Sequence, residues 1–240
     1  SLDWEPGALL HGVLAITKIT AQGLRVRIEG QAGAQEAAPF QGFALPLIAV
    51  DLRRLRLDGI TLELQGRPAR RIDSLALTHA RLRGDDLIVS HLRITAPEGR
   101  LAVSGRLGTR PDSDLRLRTD WSVQHPVRLH GEGTVRGTLG TPRMTQHLHG
   151  EAQADVQASL SWVASPLQWE AQADVRRLAL KELETRWRDL VLAGSIHGEG
   201  RGEDFKLTAK SDVTDPEYGR WQVNLEGNKA GEHWQVGQLR

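Results

Sequence analysis

Residues 14–28 read LAITKITAQGLRVRI and residues 50–64 read VDLRRLRLDGITLEL. Laid over each other without a gap, the two stretches share every apolar position. Leu14, Ile16, Ile19, Ala21, Leu24, Val26 and Ile28 fall on Val50, Leu52, Leu55, Leu57, Ile60, Leu62 and Leu64, and Gly23 falls on Gly59. Apolar residues two apart lie on one face of a strand, because successive side chains point to opposite sides. The step from i+2 to i+5 is a slip of phase. A β-bulge produces such a slip, and so does a tight turn, for which Asp58-Gly59 is a strong hairpin signal. Leu75, Leu77, Ala80 and Leu82 begin a third copy, and Leu87, Val89, Leu92 and Ile94 repeat its beat up to Pro97-Glu98-Gly99. Leu178, Leu180 and Leu183 begin a weaker one. The first two copies start 36 residues apart, as expected of stacked supersecondary units.

Period two continues along the chain. In LHGEAQADVQASLSW, residues 148–162, every even position is small or apolar and the odd positions between them are polar, which predicts one strand of roughly 50 Å. Val127, Leu129, Gly131, Gly133, Val135, Gly137 and Leu139 alternate up to Gly140-Thr141-Pro142, and the pattern restarts after Ala164-Ser165-Pro166 with Leu167, Trp169, Ala171, Ala173 and Val175. Gly200-Arg201-Gly202-Glu203, Asp215-Pro216-Glu217 and Asn228-Lys229-Ala230-Gly231 carry turn chemistry between later alternating runs. The reading is an all-β, long antiparallel meander over residues 1–240. Helix is confined to a turn or two at Glu5–His11 and a weak candidate at Lys181–Asp189, and Gly30–Pro39 reads as a solvated loop.

Bulk properties exclude several classes. Lys+Arg 31 nearly cancel Asp+Glu 30, so net charge gives no reason to expect nucleic acid. Without cysteine there is no disulfide framework and no thiolate metal site. No run reaches the roughly 18 apolar residues of a membrane span. The chain opens and closes without an obvious terminal cap and reads as a piece of something longer.

A sheet with one apolar face must bury it against something. Helices are too few here, and a packed second sheet would want large core residues. The middles of the longest runs instead carry Gly131, Gly133, Ala152, Ala154, Ala171 and Ala173, with Leu160, Trp162, Leu167 and Trp169 towards the ends. Small residues on one face let a twisted sheet bend towards it. That predicts a folded-over sheet with an apolar trough suited to a long, greasy ligand. A sandwich whose two sheets approach closely over the small residues is the plainer alternative. The candidate trough lining is Leu14, Ile16, Leu24, Val26, Leu52, Leu62, Leu129, Val135, Ala154, Val156, Leu160, Trp169 and Val175.

Several features carry a resemblance. They are Asp3-Trp4 ahead of Ala8-Leu9-Leu10, Gly23-Leu24-Arg25-Val26, Leu45-Pro46-Leu47 leading into the second copy, GRLAVSGRL at residues 99–107, and repeated Gly-x-Gly-x-hydrophobic units. In that order they resemble the N-terminal periplasmic part of the TamB family, within the AsmA-like group of bridge-like lipid transport proteins. The likeness is sharpest over residues 2–107. It implies a β-taco, a long sheet folded into a U with an aliphatic interior, anchored in the inner membrane by an N-terminal helix absent from this sequence. It also implies phospholipid transfer across the periplasm towards the outer membrane and work with a TamA-like partner in outer-membrane protein assembly. No catalytic residue or cofactor is implied.

The function expected is therefore an intermembrane lipid-transport segment that shields acyl chains and is not an enzyme. The alternative is a structural scaffold that guides outer-membrane strands by β-augmentation. A transmembrane barrel fits less well, since small residues lie where a lipid-facing band needs bulk. His147-x-His149 lies on the polar face without an evident third ligand. Gly198–Gly202 reads as a turn rather than a phosphate loop, because no helix opens after it. Asp85-Asp86 lacks an acid partner for paired-carboxylate chemistry. Arg25, Arg27, Arg53, Arg54 and Arg56 read as a solvated outer face, where a lipid headgroup could also ride.

Overall fold

A computed structural model describes residues 1–28, 48–64, 68–124, 128–179, 181, 190–202, 204–231 and 233–236. The alternating runs become sixteen strands: β1 (Leu2–Glu5), β2 (Val13–Gln22), β3 (Arg25–Ile28), β4 (Ala49–Leu64), β5 (Arg70–Arg83), β6 (Asp86–Ala96), β7 (Gly99–Gly108) and β8 (Asp114–Val123), then β9 (Leu129–Thr138), β10 (Pro142–Gly150), β11 (Ala152–Ser161), β12 (Gln168–Ala179), β13 (Val191–Arg201), β14 (Asp204–Asp215), β15 (Gly219–Ala230) and β16 (His233–Val236). All belong to one open sheet in chain order, except that β3 lies beside β4 in line with β2. From β4 onwards every neighbour is an antiparallel hairpin partner. A 3₁₀ helix at Pro6–His11, closed by Gly12 at φ 69, is the expected short helical turn. Of the Lys181–Asp189 candidate only Lys181 is described, and the Gly30–Pro39 loop, Leu180 and Leu183 lie outside the described residues.

The structure corrects the uniformly antiparallel reading at its second step, after the antiparallel pairing of β1 with β2. β2 and β3 run parallel to β4, and their partners stand a constant 36 residues apart, from Leu14 beside Val50 to Ile28 beside Leu64. The two stretches that match in sequence are therefore neighbours in space. A parallel pair needs a connection of a dozen or more residues, which the stretch between Ile28 and Ala49 supplies.

Asp58-Gly59 is not a hairpin, for β4 passes straight through it. Gly23 and Gly59 lie side by side, each with φ 66, a left-handed conformation that glycine adopts without a Cβ penalty. Gly23 N–H donates to the Asp58 carbonyl at 2.9 Å, and Thr61 N–H donates to Leu24 at 2.8 Å, so the ladder closes around the kink. The other slip is shared between strands. Ile16, Leu52, Ala80 and Val89 pair in sequence across β2, β4, β5 and β6, as do Ile19, Leu55, Leu77 and Leu92. The bulge thus crosses four strands and is absorbed between β6 and β7, where the register shifts at Val89/Leu92. Matched bulges keep the apolar set on one face through a slip that would otherwise turn it over.

The run at 148–162 is a second correction. It is two strands, β10 and β11, folded back at Gly150-Glu151 with Leu148 opposite Ala154. The reversal preserves the even phase on both arms, so alternation does not register it. Gly198 and Gly200, read as a turn, lie inside β13, and the reversal falls at Gly202. Asp215 does close a turn, its Oδ1 accepting from the N–H groups of Glu217 at 2.7 Å and Tyr218 at 3.0 Å.

No second sheet or long helix packs on this one among the described residues, and the extensive contacts join strands adjacent in the sheet. A helix long and apolar enough to cross a membrane is likewise absent there. Several glycines are held by close backbone approach. A Cβ on Gly133 would lie 1.9 Å from the Thr145 carbonyl oxygen, whereas one on Gly7 would meet nothing within 4 Å. Gly133→Ala is therefore expected to lower the urea midpoint by the equivalent of about 1–3 kcal/mol, with Gly7→Ala within about 0.5 kcal/mol of the parent.

Candidate functional site: an uncovered apolar face

Registers trace one row across the whole sheet. It runs through Trp4, Ile16, Leu52, Ala80, Val89, Gly105, Leu117, Val135, Met144, Ala158, Ala171, Gly198, Leu207, Gly227 and Val236. Every position is apolar or glycine. At 4.7–4.9 Å per strand the row is roughly 65–70 Å long and perpendicular to the strands. A second row beside it holds Ile19, Leu55, Leu77, Leu92 and Val103 on the N-terminal side and Val156, Ala173, Ile196, Ala209 and Leu225 on the C-terminal side.

These side chains are mostly half-buried. Buried apolar residues are few, chiefly Val213, Ala179, Ile60 and Leu115, and among the described residues no large side chain is fully buried. A sandwich of this length would bury large residues completely along its midplane. Among the described residues the apolar face is instead packed sideways within the sheet and left uncovered above it.

The expected lining residues are distributed unevenly. Ile16, Leu52 and Val135 stand in the long row, and Leu14 lies two residues along β2 from Ile16, opposite Val50 and on the side away from the second row. Val156 lies in the second row opposite Ala173, Ala154 pairs with Val175 beyond it, and Leu160 pairs with Trp169. Leu129 closes the strand end between Val123 and Gly150. Val26 and Leu62 pair at the far end of β3 and β4, where Leu62 meets Arg70 on its other side. Leu24 lies between β2 and β3, 40 % exposed, away from the row. Ala154 is itself buried at 6 % exposure, so it belongs to the sheet's packing more than to an open surface.

Two features escaped the reading of alternation. Trp121 on β8 lies over Gly131 of β9, where a Cβ would come within 2.4 Å of the indole. Its Nε1–H donates to Gln146 Oε1 on β10 at 3.0 Å, and Gln146 Nε2 donates to Thr119 Oγ1 at 2.8 Å. Gln146 is only 3 % exposed, a polar side chain hidden on the apolar face with its amide bonded on both sides. Trp169 on β12 repeats the arrangement over Gly198 and Gly200 of β13 and reaches Phe205 on β14, ring centroids 6.4 Å apart. Glycine on the middle strand removes the side chain that would keep its two neighbours apart. The sequence signal was the tetrapeptide His-Gly-Glu-Gly, which occurs at both 130–133 and 197–200.

The opposite face is polar and laced with ion pairs. Arg25 and Arg27 meet Glu63, Arg53 meets Glu5 and Arg56 meets Asp58, so most of the arginines considered for headgroups are engaged. His147 bonds Asp155 and His149 stacks on His130, with no cluster of metal-ligating side chains among the described residues. Asp85 pairs with Arg110 and Asp86 with Arg106. The larger clefts, such as one of about 940 Å³ beside Arg118 and Thr134, are lined mainly by side chains of this polar face.

No protein-family model, curated protein or solved structure matches this chain.

Two outcomes are expected of the network and the ion pairs. Gln146→Ala removes the acceptor of Trp121 Nε1–H and is expected to cost about 1–3 kcal/mol by chemical denaturation. Asp155 is held below the usual carboxylate range, first by the hydrogen bond from His147 and then by Arg176. Its stabilising effect is complete above the unfolded carboxyl pKa of about 4 and fades as pH falls through the lowered folded value. An NMR titration of the Asp155 carboxyl should find its midpoint below the ordinary value and shifted upwards in His147→Ala.

Proposed function

We propose that this chain is a segment of an intermembrane lipid-transport bridge in which the apolar face shields acyl chains. The observation that carries the reading is the unbroken apolar row across fifteen strands, left uncovered among the described residues. Half a bilayer core is about 15 Å, so the row is several acyl chains long. Each methylene moved from water onto it gains roughly 0.8 kcal/mol, and about a dozen gain on the order of 10 kcal/mol without any polar contact. Attraction of this kind has no direction, so a chain can slide along the row without a deep trap. In this reading the sheet closes into a U around the lipid, the headgroup stays at the rim, and the segment has no catalytic role.

The resemblance to the TamB family supplies the setting of the proposal. It is a periplasmic position, tethered to the inner membrane by a helix outside this sequence, with a TamA-like partner at the outer membrane. A scaffold for outer-membrane strands is the second reading. It rests on the unpaired outer edges of β1 and β16, which could accept an added strand among the described elements.

A photoreactive residue separates the two. Placed at Val156 on the apolar face, it should yield a phospholipid adduct detectable by mass spectrometry, and placed at Gln157 on the polar face it should yield none. Val156→Asp should abolish lipid co-purification while the sheet still folds, since Val156 is not fully buried. Absence of adduct at Val156, or equal adducts at both positions, rules out the lipid reading and leaves the scaffold.

A further inference from the structure

On the polar face, four arginines stand directly opposite one another on consecutive strands: Arg106 on β7, Arg116 on β8, Arg136 on β9 and Arg143 on β10. Arg118 projects from the same side of β8 one step along. Like charges placed directly opposite across strands destabilise a sheet. Elsewhere on this face many arginines are matched, as Arg27 is with Glu63, Arg81 with Asp51 and Arg128 with Glu151, and those without an ion pair among the described residues, such as Arg93 and Arg100, do not stand opposite another arginine. Within the row, Arg106 bonds Asp86 at 2.5 Å and Arg116 bonds Asp114 at 2.9 Å. Arg118, Arg136 and Arg143 have no ion-pair partner among the described residues. Glu132 is the other carboxylate of the adjoining cleft, two steps along β9 from Arg136 and so roughly 13 Å away. The concentration of charge is local, because the whole chain is nearly neutral.

We infer that this row is a binding site for an oligophosphate group, a ligand carrying two or more phosphates in line. The guanidiniums project from strands 4.7–4.9 Å apart, so the four together extend about 15 Å. Arg118, Arg136 and Arg143, which have no ion pair among the described residues, can each grip phosphate oxygens with two parallel N–H bonds, while Arg106 and Arg116, held by Asp86 and Asp114, flank them. Arg116, Arg118 and Arg136 line a cleft of about 940 Å³ with the hydroxyls of Thr134 and Thr145, and Arg143 stands beside Arg136 on the next strand. A concave site of that size takes a discrete anion better than a flat bilayer surface. The bound anion removes the repulsion that the row otherwise carries. This site lies on the face opposite the apolar row and stands or falls independently of lipid transport.

The test is isothermal titration calorimetry with inorganic tripolyphosphate, and in parallel with phosphatidylcholine vesicles with and without cardiolipin, whose headgroup bears two phosphates. Saturable binding to either probe is expected, at least about tenfold weaker in the Arg136→Ala/Arg143→Ala variant and unchanged in Arg25→Ala/Arg27→Ala. The probe that binds tells a soluble oligophosphate from a lipid headgroup. In the ligand-free protein Arg136→Gln should raise the thermal midpoint by relieving like-charge repulsion, a readout that also confirms folding. Failure of both probes to bind, equal loss in both paired variants, or a midpoint lowered by Arg136→Gln overturns the assignment.

Discussion

Register is the constraint on which everything else depends. Side chains alternate with period two, so a slip of one residue on any strand would carry its apolar set to the opposite face. Across fifteen strands the hydrogen-bonded pairing keeps Trp4, Val89, Leu117, Ala158 and Leu207 in a single row. In β2, β4, β5 and β6 the extra residue is carried by all four, as at Ile16/Ile19, Leu52/Leu55 and Leu77/Ala80, whereas β12 carries its own between Val175 and Leu178 against neighbours without one. The in-register parallel pairing of β2 and β3 with β4 starts this coordination one strand in from the N-terminal edge, where β1 meets β2 through a register shift. Packing in the usual sense plays a smaller part, since large side chains are seldom enclosed.

The two faces solve different problems. On the apolar face the danger is a gap wherever glycine allows close backbone approach. Trp121 and Trp169 fill those gaps by lying over the strand beside them, and Gln146 gives the Trp121 indole a buried acceptor. Opposite, guanidinium–carboxylate pairs knit one strand to the next, each worth little when exposed. The arginine row of β7–β10 departs from that balance at Arg136 and Arg143, which have no ion pair among the described residues.

Strands were legible because alternation is a direct consequence of pleating. The shortage of helix was legible too, and among the described residues no second layer packs on the sheet. Topology was not. A parallel neighbour and an antiparallel one present the same alternation, so the pairing of Leu14 with Val50 could not be told from a repeat distance alone. The hairpin at Gly150-Glu151 preserved phase and hid inside one long run. Asp58-Gly59 has the chemistry of a turn, yet in β4 the left-handed glycine relieves a bulge shared with Gly23. Single polar residues on an apolar face, such as Gln146, interrupt the pattern without announcing a partner two strands away. Charge across neighbouring strands, as in the row from Arg106 to Arg143, is invisible until register is known.

The meander also bears on how such a molecule changes size over generations. Each strand from β4 onwards leans on its immediate neighbours, and a hairpin inserted between two existing ones would find the same partners that any strand here finds. Every duplication of that unit would lengthen the sheet by about 10 Å while leaving the width set by strand length unchanged. Span is thus an additive trait, adjustable in small steps by copying short segments of gene, and no central core has to be redesigned when a longer reach is selected.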